Sequence, residues 1–251
     1  MSSLAAYQDI AGRIDHALLA PTLTQRQLDD GCLMARAYQV AGVCIMPYYL
    51  RRCVQWLAGS GVQPCTVIGF PLGVNTTDAK VAEARQALAE GATELDMVCN
   101  ISAALTGDWM TVHKDIAAVI AVAHDLGRKV KVIFENCYLK DEHKIRLCEI
   151  CAALHADWVK TSTGFASGGF ASGGGGATDD DLKLMLQHSP APMQVKAAGG
   201  IRTLERAKQI RDLGCTRIGA SATQSICDQL RNELGLDAIP FAPASPSTGS
   251  Y

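Results

Sequence analysis

The chain has 251 residues, 48% of them hydrophobic and 19% charged, and a formal net charge of −2. That much apolar material can build a large core, which excludes a disordered, collagen-like or disulfide-stapled chain. The near-neutral charge leaves no global footprint for nucleic acid or an anionic membrane, and no apolar run reaches the ~18 residues of a spanning helix.

The pattern along the chain is alternation. Strands are expected at 13–18, 42–46, 65–70, 94–98, 129–135, 157–162, 193–198 and 216–221. Between them lie stretches with apolar residues three and four apart, such as DLKLMLQ and ERAKQIRDLG. Thr24 to Gln27 fits a capping box. Thr178 followed by Asp179, Asp180 and Asp181 puts a cap and acids at the positive end of a helix. Eight strand–helix units predict a single-domain α/β fold, a (β/α)8 TIM barrel over residues 1–239. The competing doubly wound sheet carries a Gly-rich turn after its first strand, and here that turn reads LLAPTLT.

Two segments break the alternation. Residues 163–178 form a Gly-rich insertion with FASGG in tandem at 165–169 and 170–174. It is either a flexible connection or a lid at the barrel mouth. Residues 240–251 are rich in Pro and Ser and read as a flexible tail. The tail ends in Tyr251, either inert or a proton donor that reaches the site.

Ten cysteines are scattered through apolar contexts, which fits a reducing cytoplasm. The start of the chain does not read as a secretory signal, so a cytoplasmic location is expected. Cys148 and Cys151 have C-x-x-C spacing but sit in an amphipathic helix with no ligand cluster, and read as packing thiols. Cys44 is expected as a buried thiol bordering the second strand's end, and His16 as a hydrogen-bonded buried imidazole. Trp56, Trp109 and Trp158 read as packing residues.

A barrel places its chemistry at the C-terminal strand ends. Lys160 and Lys196 end neighbouring strands, and Asp96 sits on a strand across the lumen. Two cations held close repel, which leaves one amine neutral and nucleophilic toward carbonyls. A carboxylate facing them can hold one ammonium and shuttle protons for the other. Asp15, on the first strand, is expected to meet the lysine network or a substrate hydroxyl. The set points to Schiff-base chemistry with no metal and no cofactor. The alternative is a buried ion-pair network that only holds the barrel.

Several segments carry a resemblance to one family. Val159-Lys160-Thr161-Ser162-Thr163-Gly164-Phe165 resembles the Schiff-base motif of the deoxyribose-phosphate aldolases. The run from Val195 through Lys196, Gly199 and Gly200 to Arg202 is similar to that family's second lysine motif, and the run from Glu94 through Asp96 to Ile101 to its acidic motif. Further similar blocks are Ile14-Asp15-His16, Val43-Cys44 with Pro47, Gly69-Phe70-Pro71-Leu72-Gly73 and Glu135-Asn136-Cys137. The resemblance implies reversible cleavage of 2-deoxyribose 5-phosphate to glyceraldehyde 3-phosphate and acetaldehyde. It makes Lys160 the nucleophile, Lys196 the group that lowers its pKa, and Asp96 the proton relay, working through a water. Thr163 is carried over as a substrate contact. The phosphate is expected at Gly199, Gly200, Gly219 and Ser221, with Arg202 as a supporting charge; the glycines also read as tight turns. The implied partners are small aldehydes and sugar phosphates, with no nucleic acid or membrane, and a homodimer is expected.

Three positions depart from the family pattern. Ala17 stands where Thr is usual, and Ala198 and Ala222 where Ser is usual. Lost hydroxyl contacts keep two alternatives open: a different, non-phosphorylated acceptor aldehyde, or a catalytically silent barrel that binds a sugar phosphate.

Overall fold

Alternation becomes eight parallel strands in a computed structural model that describes residues 2–166 and 176–241. They are β1 (Ile14–Leu18), β2 (Gly42–Ile45), β3 (Gln63–Ile68), β4 (Glu94–Val98), β5 (Lys129–Ile133), β6 (Trp158–Lys160), β7 (Gln194–Ala198) and β8 (Arg217–Ala220). Each pairs with the next, and β8 pairs with β1 to close the barrel. Residues 167–175 of the FASGG repeats and the tail from residue 242, including Tyr251, lie outside the described residues.

The strand bounds shift where local backbone chemistry overrides pattern. β3 begins two residues earlier than expected, because Gln63 continues the ladder beside Gly42. It stops at Ile68, since Gly69 turns the chain at φ 63°. β5 stops at Ile133 rather than 135, because Glu135 adopts φ 59°. β6 keeps only three ladder residues, ending on Lys160.

The helices are α1 (Ser3–Ala11), α2 (Gln25–Tyr38), α3 (Leu50–Leu57), α4 (Thr77–Ala89), α5 (Ile101–Thr106), α6 (Trp109–His124), α7 (Asp141–Ala153), α8 (Asp179–Gln187), α9 (Leu204–Leu213) and α10 (Thr223–Glu233). α1 precedes the first strand, and α5 and α6 both follow β4. Both expected caps form: the Thr24 hydroxyl accepts from Gln27 N, and Thr178 accepts from Asp181 N. Outward strand residues such as Val43, Leu95, Val132 and Ile218 join buried helix residues in one core between barrel and helices. Cys148 and Cys151 are buried on α7. Among the described residues, no helix is long and apolar enough to cross a membrane.

Candidate active site

Inward-facing positions fill the lumen. β6 and β7 align so that Lys160 and Lys196 are direct register partners. Both side chains are buried, and both border a pocket at the C-terminal end of the strands. Asp96 comes from β4 and lies fully buried beneath that pocket. Its Oδ2 accepts from Lys160 Nζ at 2.6 Å and from Lys196 Nζ at 2.8 Å. The carboxylate expected to face the two amines thus stands between them. Asp15 accepts a second bond from Lys196 Nζ at 2.6 Å, so it does join the lysine network.

The lumen holds more charge than motif and spacing revealed. Lys131, paired with Asp96 in the β4–β5 register, reaches Asp96 Oδ1 at 2.7 Å and Glu94 Oε2 at 2.6 Å. Arg217 on β8 bonds Asp15 Oδ1 at 2.6 Å and both Glu94 oxygens at 2.9 Å. Trp158 lies under this layer, its ring centroid 4.8 Å from Arg217 Cζ and 5.8 Å from Lys131 Nζ. Cationic Lys131, Lys160, Lys196 and Arg217 thus meet carboxylates Asp15, Glu94 and Asp96. One positive charge is unmatched when every group is ionised, and a single neutral lysine balances the cluster.

Burial alone would push the carboxylates up and the amines down, but the contacts overrule it. Charges on Lys131, Lys160 and Lys196 hold Asp96 well below the ordinary carboxylate range. Asp15 is held down likewise by Lys196, Lys131 and Arg217. The same carboxylates hold Lys131 and Lys196 above the ordinary lysine value. Lys196 is thus a firmly protonated ammonium.

A second device fixes the segment after Lys160. Phe134 N donates to Lys160 O and Asn136 N to Thr161 O, extending the β5–β6 pairing past the strand ends. Glu135, buried at positive φ between them, accepts from Thr163 N at 3.1 Å and bonds the Thr163 hydroxyl. The hydroxyl in turn accepts from Phe165 N at 3.0 Å. Burial pushes the Glu135 carboxyl up, partly offset by the Thr163 bonds. Thr161 Oγ1 ties the segment to Ala198 N and O across β7, both at 3.0 Å. Glu135 had a sequence signal, since its block was already matched, but nothing local announced its left-handed backbone.

Asp15, Thr163, Gly199, Gly200, Arg202, Gly219 and Ser221 border the same pocket as the two lysines. Gly199 and Gly200 take φ 94° and 76°, a backbone that side chains resist. Ala17, Ala198 and Cys44 also face the pocket, whereas Ala222 caps α10 with no side-chain bond. His16 bonds Thr223 Oγ1 through Nδ1 at 2.9 Å.

The comparisons follow this geometry. Residues 33–229 match the model of the DeoC/LacD family aldolases. The deoxyribose-phosphate aldolase of Rhodopirellula baltica is 54% identical over 241 residues, covering 96% of this chain and 97% of that protein. The enzyme of the same name from Thermococcus gammatolerans is 46% identical over 226 residues, covering 89% and 97%. Among solved structures, the tetrameric deoxyribose phosphate aldolase of Aeropyrum pernix superposes with a TM-score of 0.82 at 30% identity, covering 92% of this chain and 94% of that one. With two buried lysines and a carboxylate at the mouth of a closed eight-stranded barrel, and with these relatives across nearly its whole length, the chain belongs to the DeoC/LacD family of aldolases.

Proposed function

We propose that this chain reversibly cleaves 2-deoxy-D-ribose 5-phosphate to D-glyceraldehyde 3-phosphate and acetaldehyde through an imine on Lys160. The observation that carries the reading is the placing of Lys160 Nζ, 2.6 Å from Asp96 and bordering the pocket. Lys160 has one carboxylate partner, where Lys196 has two and Lys131 three. It is the pocket amine least committed to ion pairs. Relatives named for this activity, across nearly the full chain, support the substrate.

In this mechanism a neutral Lys160 attacks C1 of the open-chain sugar, and loss of water leaves a protonated imine. The imine draws the C2–C3 electron pair as the C3 hydroxyl gives up its proton. Glyceraldehyde 3-phosphate leaves, and the enamine stays on Lys160. Protonation at C2 and hydrolysis then release acetaldehyde. Asp96, bonded to Lys160 Nζ, relays the protons of the reaction through a water, and Lys196 remains the ammonium that opposes a second charge on Lys160. The phosphate sits against Gly199, Gly200, Gly219 and Ser221, with Arg202 beside it. Thr163 and Asp15 border the sugar.

A second reading keeps the imine and changes the acceptor to a non-phosphorylated aldehyde. It is favoured by Ala17 and Ala198, which present methyl groups to the pocket. The homodimer is supported by exposed apolar side chains on connections that follow β2 to β4, including Tyr48, Leu72 and Met110, and sedimentation velocity tests it. A reducing cytoplasm suits ten free thiols.

Borohydride reduction in the presence of deoxyribose 5-phosphate, and separately of acetaldehyde, tests the mechanism. The expected result is a reduced adduct on Lys160, located by mass spectrometry. An adduct with acetaldehyde alone selects the second reading. No adduct from either, or one on Lys131, overturns the mechanism.

A further inference from the structure

Two thiols share the lumen with the lysine network, and the proposed reaction uses neither. Cys44 and Cys65 are register partners on β2 and β3, so strand alternation sends both inward side by side. Cys44 borders the pocket, and Cys65 is fully buried next to it. Their sulfurs and a carboxylate oxygen of Asp96 all lie within 4.8 Å of one another. Cys65 Sγ is 3.1 Å from Asp96 Oδ1, and Cys44 Sγ is 3.8 Å from Oδ2. Leu19 and Val67 complete the cluster, with Ala17, Met46 and Phe70 packed against it. The arrangement is a pair of soft donors with an apolar backing and an opening to the pocket.

Thiolates select soft ions. Two metal–sulfur bonds of about 2.3 Å each span at most about 4.6 Å, a reach suited to sulfurs no more than 4.8 Å apart. Asp96 already accepts bonds from three ammonium groups, so it is not free to complete a larger coordination sphere. The site therefore suits an ion content with two sulfurs.

We propose that Cys44 and Cys65 form an inhibitory site for a monovalent thiophilic ion of the Cu(I) and Ag(I) class, entering through the substrate pocket. Each thiol releases its proton to solvent, two sulfur–metal bonds form, and no electron is transferred. The bound ion lies against Asp96, which also holds Lys160 Nζ, so ion binding and imine formation exclude each other. The effect on activity rests on the Lys160 mechanism; the binding itself does not.

The test uses the full chain carrying C137S, which removes an exposed thiol. Silver ion in chloride-free buffer is the probe. Equilibrium dialysis measures binding, X-ray absorption reports the ligands, and aldol cleavage is followed in parallel. The expected result is one tightly held ion per chain with two sulfur neighbours. Activity falls in proportion to occupancy, saturating substrate slows the loss, and excess dithiothreitol restores it. A lost outer-shell partner costs about 10–100-fold in metal affinity, so loss of a ligand in C44A or C65A is expected to cost ~100-fold or more. C65S, which keeps a donor toward Asp96 and nearly the same volume, guards against a packing failure and is expected to lose the same affinity. Affinity unchanged in C65S and C44A overturns the site. Two-sulfur binding with full activity overturns the inhibition. Borohydride trapping on the ion-free protein is run alongside, so a failure of the Lys160 mechanism shows as a missing adduct there, separately from either result.

Discussion

Two buried lysines of this barrel invite comparison, Lys80 and Lys160. Lys80 on α4 is fully buried, and its Nζ meets Asp115 Oδ2 at 2.5 Å and the Val98 carbonyl at 2.9 Å. Thr77 Oγ1 donates to the other Asp115 oxygen at 3.1 Å. The pair is closed: one cation, one carboxylate, a carbonyl and a hydroxyl, away from the pocket. Its stem runs under Gly69, where an added Cβ would fall 2.7 Å from Lys80 Cε. The pair thus underpins the turn that ends β3. Lys160 shares its carboxylate with two other cations and borders open space. Burial of a lysine says little about its task. What separates structural from chemical is whether the charge is matched one to one and whether anything can reach the amine.

The comparison breaks most visibly by exchanging the two losses. K160A is expected to reduce aldol cleavage to background while the thermal midpoint stays within a few degrees of the parent, read by coupled assay and calorimetry. A variant that lost its fold with its activity would erase the distinction. E135A is expected to lower kcat by about 10²-fold, because the Thr163–Phe165 turn beside the nucleophile loses its anchor. E135Q keeps an acceptor for Thr163 N and is expected to recover most of that loss; equal damage from both would assign the role to charge instead. K80M is expected to lose about 3–5 kcal/mol in denaturant unfolding, since Asp115 is left charged and alone, with kcat changed far less than in K160A.

His16 sharpens the comparison with a buried group that avoids the cost of charge by staying neutral. Burial lowers its pKa to about 4, below the ordinary 6.5. The unfolded chain therefore binds the extra proton first as pH falls. Stability from this group is complete above about pH 6.5 and is lost as pH drops toward 4, on the order of 3 kcal/mol in all. Urea titrations across that range should show the loss, and H16N should flatten it. The smallest effect is expected at the start of α10. A222S supplies the missing cap at the start of α10 and should add about 1 kcal/mol.

Much of this was legible because strand periodicity and helix caps are local. Eight strands, the Thr24 and Thr178 caps and the Lys160, Lys196 and Asp96 set could be read from runs of a few residues. Lys131, Arg217 and Cys65 were not found, because their importance comes from register. Arg217 meets Glu94 across 123 positions of sequence, and only closure brings β8 beside the strands that carry its partners. A partial signal existed: Glu94 and Asp96 are two apart on one strand, so an inward Asp96 requires an inward Glu94, and that buried acid needed a cation. The expected strand ends at 70, 135 and 162 ran long because composition cannot register the turn at Gly69, the left-handed backbone of Glu135 or the change of direction after Lys160.

Closure of β8 onto β1 also sets when the molecule becomes competent during its synthesis. Asp15 leaves the ribosome well before its partners Lys196 and Arg217, which emerge 181 and 202 positions later. Until the last strand is in place, Asp15 has no cation from β7 or β8 to meet, and a nascent chain that holds Lys160 and Asp96 still lacks their setting. The lysine network is therefore complete only once β8 has been made and paired with β1.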